Sequence, residues 1–128
     1  MEPLIIGAKE ESPGVNFDRD TGKFLMFGKS FPEEARRYFD PVILWLEEYV
    51  ENPNEETVFD IRLEYYNSAS STMLLEIFYI LEEIISEKDK KIKICWNYLK
   101  VDDDMLDAGE EYAEIIKIPF EFCVIQDY

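Results

Sequence analysis

The period of the hydrophobic pattern changes twice between residues 58 and 98, and this change constrains the fold more than any other feature. Apolar and polar side chains alternate from Val58 to Tyr66, which is typical of a half-buried strand. Helical spacing follows from Ala69 to Ile85, and alternation returns from Ile92 to Tyr98. Because the connecting loops are short, the pattern predicts two parallel strands joined by a right-handed helical crossover.

Two further elements are predicted before this unit. Short apolar runs flank the turn residues 19–22, which indicates a β-hairpin over 15–27. A helix is expected over roughly 32–51, with Ser30 and Glu33 at the spacing of a capping box. Pro41 lies inside that helix, where we expect a kink, or a restart with Asp40 as the cap.

After the central unit, the pattern predicts a weaker helix over 103–116 and a last strand that contains Phe120, Phe122 and Val124. The strands at 58–66 and 92–98 each have one polar face, so helices are expected mainly on one side of the sheet. Strand 58–66 is expected to place Leu63 and Tyr65 on the core face, and Glu64 and Tyr66 on the other. The fold class is therefore α/β, a single domain over 1–128 with a mixed sheet of about five strands.

Composition excludes several classes of function. The chain has 29 acidic and 13 basic residues, a net charge of −16, so nucleic acid and anionic membranes are poor partners. It has no histidine, which removes the commonest general base and metal ligand. Cys95 and Cys123 are distant in sequence and are expected to be buried free thiols. We expect a soluble cytoplasmic protein without a membrane span, a metal or a cofactor.

Tyr66, Asn67, Ser68 and the hydroxyl residues that follow mark the junction between the central strand and helix. Asn67 or Ser68 can cap the helix, which stabilises it by about 1 kcal/mol. One cap does not require all the hydroxyls of Ser68, Ser70, Ser71 and Thr72. A phosphate on Ser68 would lie at the positive end of the helix dipole, where a negative charge is tolerated. The residues alone leave both roles open, cap and phosphorylation site.

Two segments carry a resemblance to a known family. Asp60–Ser68 reads Asp-Ile-Arg-Leu-Glu-Tyr-Tyr-Asn-Ser, and Gly28–Glu33 reads Gly-Lys-Ser-Phe-Pro-Glu. With the helix that contains Trp45, they resemble the SiaC family of bacterial regulatory phosphoproteins, and the similarity runs from about Ser12 to the last strand. The resemblance implies a fold like the STAS domains of anti-sigma-factor antagonists.

The same resemblance implies a non-enzymatic switch. A cognate Ser/Thr kinase and a PP2C-type phosphatase act on such proteins, and the unphosphorylated form binds and activates a partner such as a diguanylate cyclase. The family's phosphoacceptor follows an Asn at the strand-to-helix junction, which corresponds to Ser68 after Asn67. The partner-binding patch is then expected to include Tyr66, Asn67 and Ser68.

Two alternatives remain beside this expectation. The chain can be a constitutive protein-binding or scaffold module in which Ser68 is only a helix cap. An enzyme that uses Asp60 and Glu64 as paired carboxylates is disfavoured, because acidic residues on a polar strand face are usually solvated.

Overall fold

The computed structural model describes all 128 residues and contains six strands and three helices. The strands are β1 (Leu4–Ile6), β2 (Gly14–Asp18), β3 (Lys23–Ser30), β4 (Glu56–Tyr66), β5 (Lys91–Leu99) and β6 (Phe120–Ile125). The helices are α1 (Ala35–Tyr49), α2 (Ser68–Ser86) and α3 (Asp103–Ile115). None of the three helices combines the length and the apolar character that crossing a membrane requires.

The strands form one mixed sheet in the order β1-β2-β3-β4-β5-β6. The pairs β1–β2 and β2–β3 are antiparallel, whereas β3, β4, β5 and β6 run parallel to one another. This arrangement confirms the predicted hairpin and the parallel strand-helix-strand unit. The predicted count of about five strands is one too low, since β1 was not recognised. Its three residues are too few to show an alternation, and only pairing with β2 identifies them as a strand.

The helices cover one face of the sheet. Each helix connects neighbouring parallel strands in the same direction along the sheet, so right-handed crossovers place all three on one side. The core lies between the two layers. Its largest fully buried side chains are Phe17, Phe24, Phe39, Tyr49, Phe59, Phe78 and Trp96. Cys95 and Cys123 are free, as expected, but only half-buried, because they alternate with the core residues and lie on the face without helices.

A β-bulge near the end of β4 corrects the predicted faces of that strand. Gly28 of β3 is aligned with Leu63, but the next residue, Lys29, is aligned with Tyr65, so Glu64 has no partner. This extra residue exchanges the two faces of the sheet for the side chains that follow it in β4. Tyr65 is therefore 52% exposed instead of buried, and Tyr66 turns inward instead of outward.

The start of α1 differs from the prediction in two respects. The helix is preceded by Glu34, which makes no side-chain capping bond, so the capping box of Ser30 and Glu33 is not formed. Ser30 is instead the last residue of β3 and is fully buried. The helix also continues through Pro41 without a restart at Asp40. Its apolar face, which includes Phe39 and Leu46, is buried on both sides of the proline and stabilises the helix across it.

Candidate functional site

The predicted site lies where the parallel strands β3 and β4 end and α2 begins. Ser30 is aligned with Tyr66 across the two strands, and the backbone N–H of Asn67 donates to the carbonyl oxygen of Ser30 at 3.0 Å. The chain then enters α2 at Ser68. The structure thus brings Tyr66, Asn67 and Ser68 together with the end of β3.

Asn67 is the N-cap of α2. Its backbone is extended, with φ −93° and ψ 178°, and its side-chain Oδ1 accepts from the N–H of Ser70 at 2.9 Å. Its carbonyl oxygen accepts from the N–H of Ser71, also at 2.9 Å. Of the two capping candidates, the structure selects Asn67. Ser68 is the first helical residue and is not needed as a cap.

The hydroxyls that follow Asn67 have different environments. Ser70 is fully buried and its Oγ accepts from Ser30 Oγ at 2.7 Å. Ser71 Oγ lies 2.8 Å from the hydroxyl of Tyr112, which also donates to the Ser71 carbonyl oxygen at 2.9 Å. These two hydroxyls hold α2 to the rest of the protein.

Ser68 and Thr72 are the exposed hydroxyl residues of this group. Thr72 Oγ1 donates to the carbonyl oxygen of Ser68 at 3.3 Å. Ser68 Oγ makes no hydrogen bond within the protein, although its backbone is fixed by the helix. Ser68 is therefore accessible to a modifying enzyme.

Tyr66 packs into an aromatic cluster beneath the site. Its ring meets Trp96 edge-on at 6.3 Å, and Trp96 lies 5.6 Å from the ring of Tyr112. Burial, with the neighbouring Tyr112 as a smaller cause, raises the pKa of Tyr66 well above its usual range. Burial also raises the pKa of Tyr112. Tyr66 is thus a neutral, partly buried support of the site.

Tyr65 and Phe31 form a second aromatic group, which the sequence did not predict as part of the site. Their rings lie 5.8 Å apart in an edge-on arrangement, and Tyr65 is half exposed. Lys29, aligned with Tyr65 at the end of β3, is exposed and makes no ion pair. Phe31 and Lys29 are in the Gly28–Glu33 segment, and only the pairing of β3 with β4 brings that segment to Ser68.

A cleft of about 340 Å³ opens beside Tyr66, between the end of β4 and the first turns of α3. Its polar lining is acidic, with Glu64, Asp102 and Asp104. Arg62 forms an ion pair with Asp60 at 3.6 Å. The carboxyl end of β3 and β4 beside Ser68 is thus an aromatic surface with an acidic cleft, which suits a protein partner better than a phosphate-bearing substrate.

Comparison with known proteins gives a match over nearly the whole chain. The model of the family described as "SiaC family regulatory phosphoprotein" matches residues 6–125. A curated but uncharacterized protein of Pseudomonas aeruginosa (strain UCBPP-PA14) is 28% identical over 120 residues, which cover 94% of each chain.

Solved structures agree with this match. The crystal structure of apo-SiaC from Pseudomonas aeruginosa is 27% identical, with a TM-score of 0.88 over 96% of this chain and 99% of that chain. SiaC in the crystal structure of the diguanylate cyclase SiaD with its activator SiaC, from the same organism, is 26% identical. Its TM-score is also 0.88, over 95% of this chain and 99% of that chain.

Proposed function

This chain belongs to the SiaC family of regulatory phosphoproteins, and we propose that it is a non-enzymatic switch whose binding to a partner is controlled by phosphorylation of Ser68. In this proposal a cognate Ser/Thr kinase adds the phosphate and a PP2C-type phosphatase removes it. The unphosphorylated form binds and activates a diguanylate cyclase in the cytoplasm. The SiaC of Pseudomonas aeruginosa, which is described as the activator of SiaD, supports the choice of partner.

One structural observation carries the choice of Ser68. Asn67 supplies the cap of α2, while the hydroxyl of Ser68 is exposed and free of internal hydrogen bonds. This division of roles argues against the alternative in which Ser68 is only a helix cap. The STAS-like classification that the family resemblance implies is part of the same proposal.

The proposed mechanism is direct interference at the interface. The partner-binding surface consists of Tyr66, Asn67 and Ser68, and we extend it to the exposed Tyr65 and its neighbour Phe31. A phosphate at Ser68 would place about two negative charges inside this contact, where they must lose their hydration. A loss of about 3 kcal/mol weakens binding more than about 100-fold. Because Asn67, and not Ser68, makes the capping bond, a phosphate on Ser68 can block the partner without unfolding the junction.

Binding of Ser68→Ala and Ser68→Asp to a cognate diguanylate cyclase tests the proposal. We expect Ser68→Ala to bind and to increase cyclic di-GMP synthesis, and Ser68→Asp to bind at least about 100-fold more weakly. Thr72→Asp is the matched control, because it adds the same charge one helical turn away on an exposed residue. Equal affinity of Ser68→Asp and Ser68→Ala would refute the mechanism.

Phosphorylation itself needs a separate measurement. The protein purified from its own cells should contain a fraction with phosphate at Ser68, which intact-protein and peptide mass spectrometry would detect. Co-expression with the cognate kinase should increase that fraction, and treatment with a PP2C-type phosphatase should remove it. Phosphate that is found only at other hydroxyls would contradict the choice of Ser68.

A further inference from the structure

The two edge strands of the sheet are very different. β1 has only three residues and lies between Pro3 and Gly7. β6 has six residues, Phe-Glu-Phe-Cys-Val-Ile, of which Glu121 alone is charged. Its pairing with β5 is regular over the whole strand. Proteins usually block an edge strand with lysine, proline, a bulge or short length, and β6 has only one charge as protection.

The outer edge of β6 is left open by the rest of the chain. α3 packs on β5 and β6 from the helical face. β6 has β5 as its only neighbour in the sheet, and Tyr128, after β6, lies near Leu99 and Asp102. Val124 of β6 is 56% exposed and Ile115 at the end of α3 is 54% exposed. The edge therefore combines free backbone groups with exposed apolar side chains.

The charge on α3, the helix beside this edge, has a single sign. α3 has six charged side chains and all are acidic: Asp103, Asp104, Asp107, Glu110, Glu111 and Glu114. None of them forms an ion pair within the protein. Such a helix beside an open strand attracts a positively charged polypeptide.

We propose that the β6 edge binds an extended, basic segment of a partner protein, which adds to the sheet as a seventh strand. Backbone hydrogen bonds to β6 supply affinity, and the apolar side chains of the segment lie on the face without helices, beside Cys123 and Ile125. Lysine or arginine side chains on the helical side pair with the carboxylates of α3. The β6 edge contains none of the residues of the Ser68 surface.

A second copy of this chain is a poorer occupant of the same edge. A two-fold pairing of two β6 strands would bring two acidic α3 helices next to each other. Each copy also has a net charge of −16, which adds repulsion at long range. The unbalanced charge of α3 therefore favours a basic partner segment over self-association.

A capped eight-residue peptide of alternating valine and lysine is a suitable probe, with fluorescence anisotropy as the readout. We expect it to bind at least about tenfold more tightly than the same peptide with N-methyl groups at alternate residues, which removes backbone donors but keeps the charge. Bound peptide should slow the hydrogen exchange of β6 amides. The comparison needs no variant of the protein.

Variants locate the site. Val124→Pro in β6 should weaken peptide binding at least about tenfold, whereas Ile5→Pro in β1 should not. Glu110→Gln with Glu114→Gln should weaken binding and reduce its dependence on salt. Equal binding of the N-methylated peptide, or equal loss in both proline variants, would overturn the proposal. So would a concentration-dependent dimer in light scattering that Val124→Pro abolishes, because a second copy would then occupy the edge.

Discussion

Ser30 and Ser70 are joined by a hydrogen bond of 2.7 Å between their Oγ atoms, and both residues are fully buried. The bond connects the end of β3 to the first turn of α2, two residues after Ser68. Together with the bond from the Asn67 N–H to the Ser30 carbonyl oxygen, it fixes the junction from the side of β3. Ser68 is thus an exposed hydroxyl on a firmly held backbone.

The losses in stability from removing the two members of this pair should not be additive. Ser30→Ala leaves the Ser70 hydroxyl without its buried partner, so we expect a loss of about 1–3 kcal/mol in the free energy of unfolding. The double variant Ser30→Ala with Ser70→Ala should lose less than the sum of the single variants, by at least about 0.5 kcal/mol. Urea denaturation measures both, and Ser86→Ala, an exposed hydroxyl at the end of α2, is the control. Strictly additive losses would mean that the bond contributes nothing.

Truncation to alanine should lower the free energy of unfolding at Asn67 but leave it nearly unchanged at Ser68. Asn67→Ala removes the capping bond to the Ser70 N–H and should lower the free energy of unfolding by about 1 kcal/mol. Ser68→Ala removes no internal hydrogen bond and should change it by less than about 0.5 kcal/mol. Thermal or urea unfolding of the two variants, measured side by side, tests this difference. A larger loss of stability for Ser68→Ala than for Asn67→Ala would mean that Ser68 is the cap of α2.

A negative charge at Ser68 should stabilise the folded protein while it weakens partner binding. Ser68→Asp places a carboxylate in the first turn of α2. That turn has no acidic residue in the wild type. The interaction with the helix dipole should raise the free energy of unfolding by about 0.3–1 kcal/mol at low salt. Thermal unfolding at two salt concentrations measures it, with Ser68→Asn as the uncharged control. A marked destabilisation by Ser68→Asp would instead mean that phosphorylation acts by opening the junction.

Gly109 should resist substitution by alanine, although alanine is the better helix former. A Cβ at Gly109 would lie 2.5 Å from Cδ1 of the Trp96 ring, which is held in place by a bond from its Nε1 to the Met105 carbonyl oxygen. We expect Gly109→Ala to cost about 1–3 kcal/mol through overpacking. Gly7→Ala, where a Cβ meets no atom within 4 Å, is the control and should be close to neutral. Equal denaturation midpoints for the two variants would contradict this packing.

Alkaline pH should destabilise the protein through the partly buried Tyr38. Burial raises the pKa of Tyr38 to about 12, and its hydroxyl donates to the Pro13 carbonyl oxygen at 2.6 Å. An unfolded tyrosine ionises near pH 10, so above that pH the unfolded chain releases its proton first. The contribution to stability is complete below about pH 10 and is lost as the pH rises towards 12.

The variant Tyr38→Phe should therefore lose less stability than the wild type between about pH 9 and pH 12. It should also be about 1 kcal/mol less stable at neutral pH, because the hydrogen bond to Pro13 is missing. Urea midpoints across this pH range measure both effects. Tyr79→Phe, which changes an exposed side chain, should follow the wild-type curve. Identical pH slopes for Tyr38→Phe and the wild type would show that Tyr38 does not contribute.

The hydrophobic pattern of the sequence predicted most of the strands and helices. The change of period between residues 58 and 98 predicted β4, α2 and β5, because a strand and a helix must each place their apolar residues on one face. The same residues predicted the junction between β4 and α2, with Asn67 or Ser68 as the cap of the helix. The motif residues, and not the hydrophobic pattern, indicated the family, and the match over residues 6–125 confirms it.

Contacts between segments distant in sequence determined the features that the hydrophobic pattern did not predict. Ser30 was expected to cap a helix, but pairing of β3 with β4 buries it beside Ser70. The bulge at Glu64, which exists only relative to β3, exchanged the faces of Tyr65 and Tyr66. Which hydroxyl is free was decided in the same way, since Tyr112, forty-one residues away, engages Ser71 and leaves Ser68 exposed. The sequence by itself determined where strand and helix meet, because periodicity is a local property. Only the tertiary structure decided which side chains of that junction are exposed, because burial depends on what the sheet brings beside them.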